Sequence, residues 1–167
     1  LVAGSENHVT AVSFRYGQRH QVELDAAARF ASMMGVRQVT LTIEALAELG
    51  GSRLLQGGDV AAAALGRPNR QQVDDLPNTW VPHRNSVFLS LAAALASQVA
   101  ARYLWIGCSQ VDFSGYPDCR EAFLERKQAE INASESSSHS LDRQIVAPLL
   151  FASKADTFSL ADKMHIL

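Results

Sequence analysis

Hydrophobic positions along this chain fall into two alternating periods. Val9-Thr10-Ala11-Val12-Ser13-Phe14 is short, rich in β-branched and aromatic residues and stops before Gly17, which predicts a strand. From Gln21 to Met34 the period lengthens, with Leu24, Ala28, Ala31 and Met34 near 3.6-residue spacing, and Gly35 is placed to end that helix. Val36 to Leu41 returns to strand character, and Ile43 to Leu49 predicts a short helix closed by Gly50-Gly51. The pattern weakens from Ser52 to Asn78, which predicts a long excursion over the sheet edge with a helical turn at Val60 to Leu65. Asn85 is expected to cap the strongest helix, Ser86 to Ala100, on which Val87, Leu91, Leu95 and Val99 lie one turn apart. A third strand is predicted at Tyr103 to Ile106, and Pro117 suits the first turn of a helix running to about Ile131. Ser134 to Ser140 is a polar connection, Ile145 to Ala147 a fourth strand, and Ser153-Lys154-Ala155-Asp156 a capping box opening a last helix.

Strands alternating with helices imply parallel βαβ units, hence an α/β fold with a parallel sheet flanked by helices on both faces. The length, 167 residues, fits a single domain over 1–167. In such folds ligands bind beyond the C-terminal ends of the strands, so polar residues there come under suspicion first.

Composition narrows the function classes. Hydrophobic residues make up 47% and charged residues 19%, ordinary for a folded domain, and no apolar run reaches the length of a membrane span. A net charge of -2 argues against a general electrostatic grip on nucleic acid or anionic lipid, so neither is expected as a partner. Two cysteines, Cys108 and Cys119, are too few for a disulfide framework or a four-cysteine metal site and are expected to be buried, inert thiols. His8, His139 and His165 are scattered without metal spacing, and Met33 and Met34 are expected to fill the core. The start, Leu1 to Gly4, lacks the basic opening of a secretory signal, so the expected compartment is the cytosol. Both ends read as interruptions of a longer sequence, because Leu1 is not a methionine and Leu167 falls within an apolar, helix-like pattern.

Four polar clusters gather at the predicted sheet edge. Tyr16-Gly17-Gln18-Arg19-His20 follows the first strand; its bland reading is a polar turn entering a helix. Asn78 to Asn85 leads into the strong helix, where Arg84 suits a phosphate shared with the helix end, or is simply a solvated cation. In the dense run Asp112-Phe113-Ser114-Gly115-Tyr116-Pro117-Asp118-Cys119-Arg120, a carboxylate can accept two hydrogen bonds from a guanine-like edge while an aromatic ring stacks on it. The alternative is a glycine-proline loop whose Asp118 serves the next helix. Lys154, in the first turn of the last helix, opposes the helix dipole unless an anion sits beside it.

Three of these runs, Phe14-Arg15-Tyr16-Gly17-Gln18-Arg19-His20, Pro77 to Asn85 and Asp112 to Arg120, resemble in order and separation the signatures of the 7-cyano-7-deazaguanine synthase family. The resemblance extends over roughly Val9 to Leu160, its third run is the most specific, and Pro148-Leu149 with Lys154 resembles a later phosphate-contacting segment. It implies an adenine-nucleotide α-hydrolase-like fold of the PP-loop ATP pyrophosphatase group. It also implies adenylation of 7-carboxy-7-deazaguanine by ATP with magnesium, displacement of AMP by ammonia, and a second activation that dehydrates the amide to a nitrile. On that resemblance Arg84 and Lys154 contact phosphate and carry the chemistry, and Tyr16 and Asn85 join them at ATP. Gln18, Arg19 and His20 line the junction of substrate and nucleotide, Asp118 reads the base edge, and Tyr116 and Arg120 shape the pocket or hold the carboxylate. A homodimer is expected. The sequence departs from the family in Arg15, where an acidic residue is usual, and in His83, where glycine is usual. The family's serine-glycine-glycine loop and its four-cysteine zinc cluster have no counterpart in these residues. A catalytically degenerate deazapurine-binding subunit is therefore the competing expectation, with a PP-loop ligase or sulfurtransferase acting on another base as a weaker third.

Overall fold

A computed structural model describes residues 8–18, 22–49, 80–135 and 142–164. The chain divides into two compact units, Leu1–Val81 and Pro82–Leu167. The turn expected at Val60 to Leu65 and most of the connection at Ser134 to Ser140 lie outside the described residues.

The first unit is a βαβ element with one further helix. Strand β1 (Thr10–Arg15), helix α1 (Val22–Met33), strand β2 (Arg37–Thr42) and helix α2 (Glu44–Leu49) follow one another. β1 and β2 are parallel, in register from Thr10 opposite Arg37 to Arg15 opposite Thr42. The Ile43 N–H donates to the Arg15 carbonyl at 2.7 Å, carrying the ladder one residue further. α1 ends as its glycine predicts. Gly35 takes φ +63°, its N–H reaches the Ser32 carbonyl and the Val36 N–H the Ala31 carbonyl, the paired bonds of a Schellman close. Of the residues expected to pack, Ala31 is buried, but Met33 is 68% exposed. Met33 sits next to the helix end, outside the stripe that Ala31 marks, so its expected role in the core is corrected.

The second unit holds helix α3 (Arg84–Gln98), strand β3 (Tyr103–Trp105), short helix α4 (Gln110–Gly115), a 3₁₀ turn (Pro117–Cys119), helix α5 (Glu121–Ser134), strand β4 (Gln144–Val146) and helix α6 (Lys154–Lys163). β3 and β4 are parallel, with Tyr103 opposite Gln144 and Trp105 opposite Val146. Its core joins Leu89, Ala93 and Ala96 of α3 to Leu104 of β3, Leu124 and Ile131 of α5, Leu150 and both cysteines. The buried stripe of α3 thus runs Asn85, Leu89, Ala93, Ala96, not along the expected line of Val87, Leu91, Leu95 and Val99. Alanines win those positions because they let the helix backbone approach its neighbours closely.

Most element ends shift by one or two residues from the sequence expectation, and three features differ in kind. Asn85 is not the cap of α3; His83 is, in the left-handed conformation with φ +58°, and Asn85 lies inside the first turn. Pro117 opens only a single 3₁₀ turn, because extended backbone at Arg120 (φ −80°, ψ 149°) interrupts it before α5 begins. Between β3 and that turn lies α4, for which the sequence pattern predicts no element; the Ser109 hydroxyl and N–H both donate to the Asp112 carboxylate, at 2.8 and 2.9 Å. The same device opens α6, as expected, with Ser153 and Asp156 exchanging hydrogen bonds.

Buried cations complete the second unit. Arg143, 2% exposed, donates to the Ala101 carbonyl, the Ser97 hydroxyl and the Glu135 carboxylate, so it ties β4 to the C-terminal end of α3. Lys127 of α5 donates to the Ser90 hydroxyl of α3 at 2.7 Å and pairs with Glu130. Each satisfied cation fixes the relative register of two elements, which an apolar contact alone would leave free to slide.

Candidate functional site

At the C-terminal end of β3 the chain enters the segment from Cys108 to Arg120, and the structure packs it onto the first turn of α3. Asp118, 8% exposed, is the centre of that contact. Its Oδ2 accepts the backbone N–H of Asn85 at 3.0 Å, and its carbonyl accepts the Asn85 side-chain amide at 3.2 Å. The same amide nitrogen lies 3.0 Å from the Cys119 sulfur. The Asp118 carbonyl can only accept, which settles that the amide nitrogen of Asn85, not its oxygen, faces it.

This arrangement changes the expected electrostatics of the helix end. The sequence suggested a phosphate at the N-terminus of α3. The anion held there by Asn85 is the protein's own carboxylate, placed where the helix dipole favours negative charge. Arg84, one residue earlier, extends over the Tyr116 ring with its guanidinium carbon 5.9 Å from the ring centre. A cation, an aromatic face and a buried carboxylate therefore come together within α3 and the Tyr116–Asp118 stretch. Such a set can stack a flat heterocycle and accept hydrogen bonds from its amino edge.

The two thiols of this segment turn into the core of the second unit. Both are free and buried. A hydrogen bond from Cys119 holds the Cys108 thiol below the ordinary cysteine range; donating that bond, together with burial, pushes Cys119 far above it. Cys119 serves as packing and as an acceptor for Asn85, and both thiols are buried as the sequence expectation had them.

The remaining expected site residues fall elsewhere. Lys154 is exposed at the first position of α6, whose approach is fixed by the Gln110 N–H donating to the Ala152 carbonyl at 3.2 Å. Arg120 is exposed at the break between the 3₁₀ turn and α5. Tyr16 and Gln18 belong to the first unit and are both buried. There the Gln18 side chain closes the turn after β1, accepting the Tyr16 N–H at 2.9 Å and donating to the Phe14 carbonyl at 3.0 Å. Arg19 and His20 lie outside the described residues. Sequence reasoning missed the part Asn85 plays, since the signal it offered was that of a local cap.

Among the described residues no helix is long and apolar enough to cross a membrane, and no group of three or more His, Cys, Asp or Glu side chains could hold a metal ion. The two cysteines of this chain are too few to supply the four thiolates of a zinc site by themselves.

Comparison with known proteins gives a consistent result. The chain is 43% identical over 159 residues to a 7-cyano-7-deazaguanine synthase of Chromobacterium violaceum, covering 95% of this chain and 64% of that protein. It is 46% identical over 153 residues to the synthase of the same name from Frankia casuarinae, covering 90% and 62%. With the Oceanobacillus iheyensis protein of that name it shares 40% identity over 157 residues, covering 93% and 67%. The chain thus spans slightly under two thirds of the Chromobacterium and Frankia relatives. The family model described as "Queuosine biosynthesis protein QueC" matches residues 1–167. A match along every residue, on an α/β scaffold whose Asp112–Arg120 run is folded onto the start of α3, means that this chain belongs to the QueC family.

Proposed function

We propose that this chain carries the deazapurine-recognising part of a 7-cyano-7-deazaguanine synthase. The reaction joins 7-carboxy-7-deazaguanine and ammonia at the expense of ATP. The acid's carboxylate attacks the α-phosphorus of ATP and expels pyrophosphate; ammonia attacks the acyl carbon, AMP leaves, and a proton is released as the amide forms. The amide oxygen then attacks the α-phosphorus of a second ATP and expels pyrophosphate, which makes that oxygen a leaving group, and loss of AMP with both nitrogen protons gives the nitrile.

The observation that supports this reading best is the Asp118 carboxylate, buried and fixed beside the Arg84–Tyr116 stack. Among the described residues the hydrogen bonds to that carboxylate reach Oδ2 alone, and the other oxygen is the natural acceptor for the N1–H and amino group of a guanine-like edge. Tyr116, whose ring Arg84 also contacts, is the aromatic side chain we assign to the base. Arg84, Lys154 and Arg120 are the cations we assign to phosphate and to the acid's carboxylate, whose charge they would lower during adenylyl transfer. Magnesium would enter with ATP and share that neutralisation. Tyr16, Gln18, Arg19 and His20 keep the part that the family resemblance gives them, and the cytosol and a homodimeric state remain part of the proposal.

The test is incubation of the whole gene product with the carboxylated deazaguanine, ammonium and Mg-ATP, following AMP and the nitrile by mass. Formation of both is expected; neither AMP nor nitrile would end the reading. Tight binding of the acid without AMP release would instead identify a subunit that binds the deazapurine and has lost the chemistry. The departure at His83, a strained left-handed residue where the family resemblance expects glycine, is the feature that favours this second reading.

A further inference from the structure

Asn85 is buried, its backbone N–H donates to the Asp118 carboxylate, and its side-chain amide donates to the Asp118 carbonyl and the Cys119 sulfur, so both amide hydrogens are already committed within the protein. We infer that Asn85 is a positioning residue: it acts on the deazapurine through Asp118, by locking the Pro117–Cys119 turn to the first turn of α3. The inference rests on the proposed function and adds to it a role for a residue otherwise expected at the nucleotide.

The argument is geometric. The Pro117–Cys119 turn has weak means of holding itself. It is a single 3₁₀ turn with Asp118 off helical geometry (φ −85°, ψ 17°), bounded on both sides by extended backbone at Tyr116 and Arg120. Its internal bonds are few: the Cys119 N–H to the Tyr116 carbonyl at 3.1 Å and the Arg120 N–H to the Pro117 carbonyl at 3.4 Å. A turn so built can rock, and a carboxylate on a rocking turn loses the alignment that a two-point contact to a base edge requires. Asn85 removes that freedom from outside. Its backbone N–H fixes one carboxylate oxygen, and its side-chain amide fixes the carbonyl of Asp118 and the sulfur of Cys119, so carboxylate and backbone are held from a single residue. Because Asn85 sits in a fifteen-residue helix whose Leu89, Ala93 and Ala96 lie in the core, the anchor is far stiffer than the turn.

The experiment uses the whole gene product and measures binding of the carboxylated deazaguanine and of ATP by calorimetry, with hydrogen exchange at Cys119 and Arg120. Asn85→Ala removes only the two side-chain bonds. Expected are about tenfold weaker binding of the acid, ATP binding within twofold of wild type, and exchange at Cys119 and Arg120 raised about tenfold with α5 unchanged. Asn85→Ser, which keeps a shorter donor, should fall between wild type and Asn85→Ala and covers the case in which Asn85→Ala folds poorly. In an Asp118→Ala background the Asn85→Ala change should add less than twofold, the sign that it acts through the carboxylate. Normal acid binding in Asn85→Ala, with Asp118→Ala at least tenfold weaker, would overturn the inference and leave the proposed function standing. Equal loss of both ligands with a lowered melting temperature would also overturn it, by making Asn85 a general structural residue. If wild type fails to bind the acid at all, the proposed function falls; unchanged exchange at Cys119 and Arg120 in Asn85→Ala would then sink the positioning role independently.

Discussion

After β1 the chain turns within three residues, and Gln18 closes that turn by reaching back to Phe14 and Tyr16. After β3 the equivalent stretch extends from Cys108 to Arg120 and is fixed by Asn85, a residue 33 positions away from the Asp118 it holds. The first solution is local: a glycine, an amide and two hydrogen bonds, all within one segment. The second relies on a packed core in which Leu89, Ala93 and Ala96 of α3 meet Leu124 and Ile131 of α5. The difference teaches where precision comes from in this protein. A short turn can carry its own geometry, whereas a long, chemistry-bearing segment borrows its geometry from a packed helix.

The largest way to break the comparison is to loosen the helix that the long segment borrows from. Replacing buried Arg143 by Met leaves Glu135, the Ala101 carbonyl and Ser97 without their shared donor, and should give the largest drop in the urea unfolding midpoint of the variants considered. Acid should act on the same clamp. Hydrogen bonds from Arg143 first, and from Ser97, hold the Glu135 carboxyl below its ordinary range. Its stabilising contribution is therefore present above the unfolded-state value and lost as pH falls through the folded one. Wild type should lose melting temperature more steeply than Glu135→Gln between about pH 5 and about pH 3; parallel curves would show that the clamp carries no charge-dependent stability.

A smaller effect is expected at the local turn. Gly17 has φ +78°, and a Cβ there would come 2.5 Å from the Ala47 Cβ. Gly17→Ala should cost about 2 kcal/mol, from a left-handed conformation and a contact with nowhere to give. A loss under about 0.5 kcal/mol would mean that the turn adapts more readily than its hydrogen bonds suggest. The smallest effect sharpens the comparison instead. His83 carries φ +58° at the start of α3, and His83→Gly should stabilise by about 0.5 kcal/mol, the relief of left-handed strain less the added freedom of the unfolded chain. Thermal unfolding of that variant decides the sign.

Much of the fold was legible because its signals are short-range. Gly35 ends α1 for the reason glycine ends helices, and Ser153 with Asp156 opens α6 three residues apart. Even α4, to which the hydrophobic pattern assigns no element, carries the same spacing in Ser109 and Asp112. What stayed hidden depends on residues distant in sequence. Asn85 has the composition of a helix cap, and only the fold shows that its partner is Asp118. Buried Arg143 and Lys127 look like ordinary surface cations until Ser97, Ser90 and the Ala101 carbonyl are brought beside them. The run from Asp112 to Arg120 was recognisable as chemistry, while the surface that holds it was not.

The paired sulfurs of Cys108 and Cys119 have a practical use. Cys108 and Cys119 are the chain's two cysteines, both shielded, and the second takes its hydrogen bond from the residue that locks the turn. A thiol-specific alkylating reagent can therefore reach them only when the segment lifts away from α3. The rate of labelling in the native protein becomes a clock for that opening, readable without knowing any ligand and slowed by whatever small molecule clamps the segment shut.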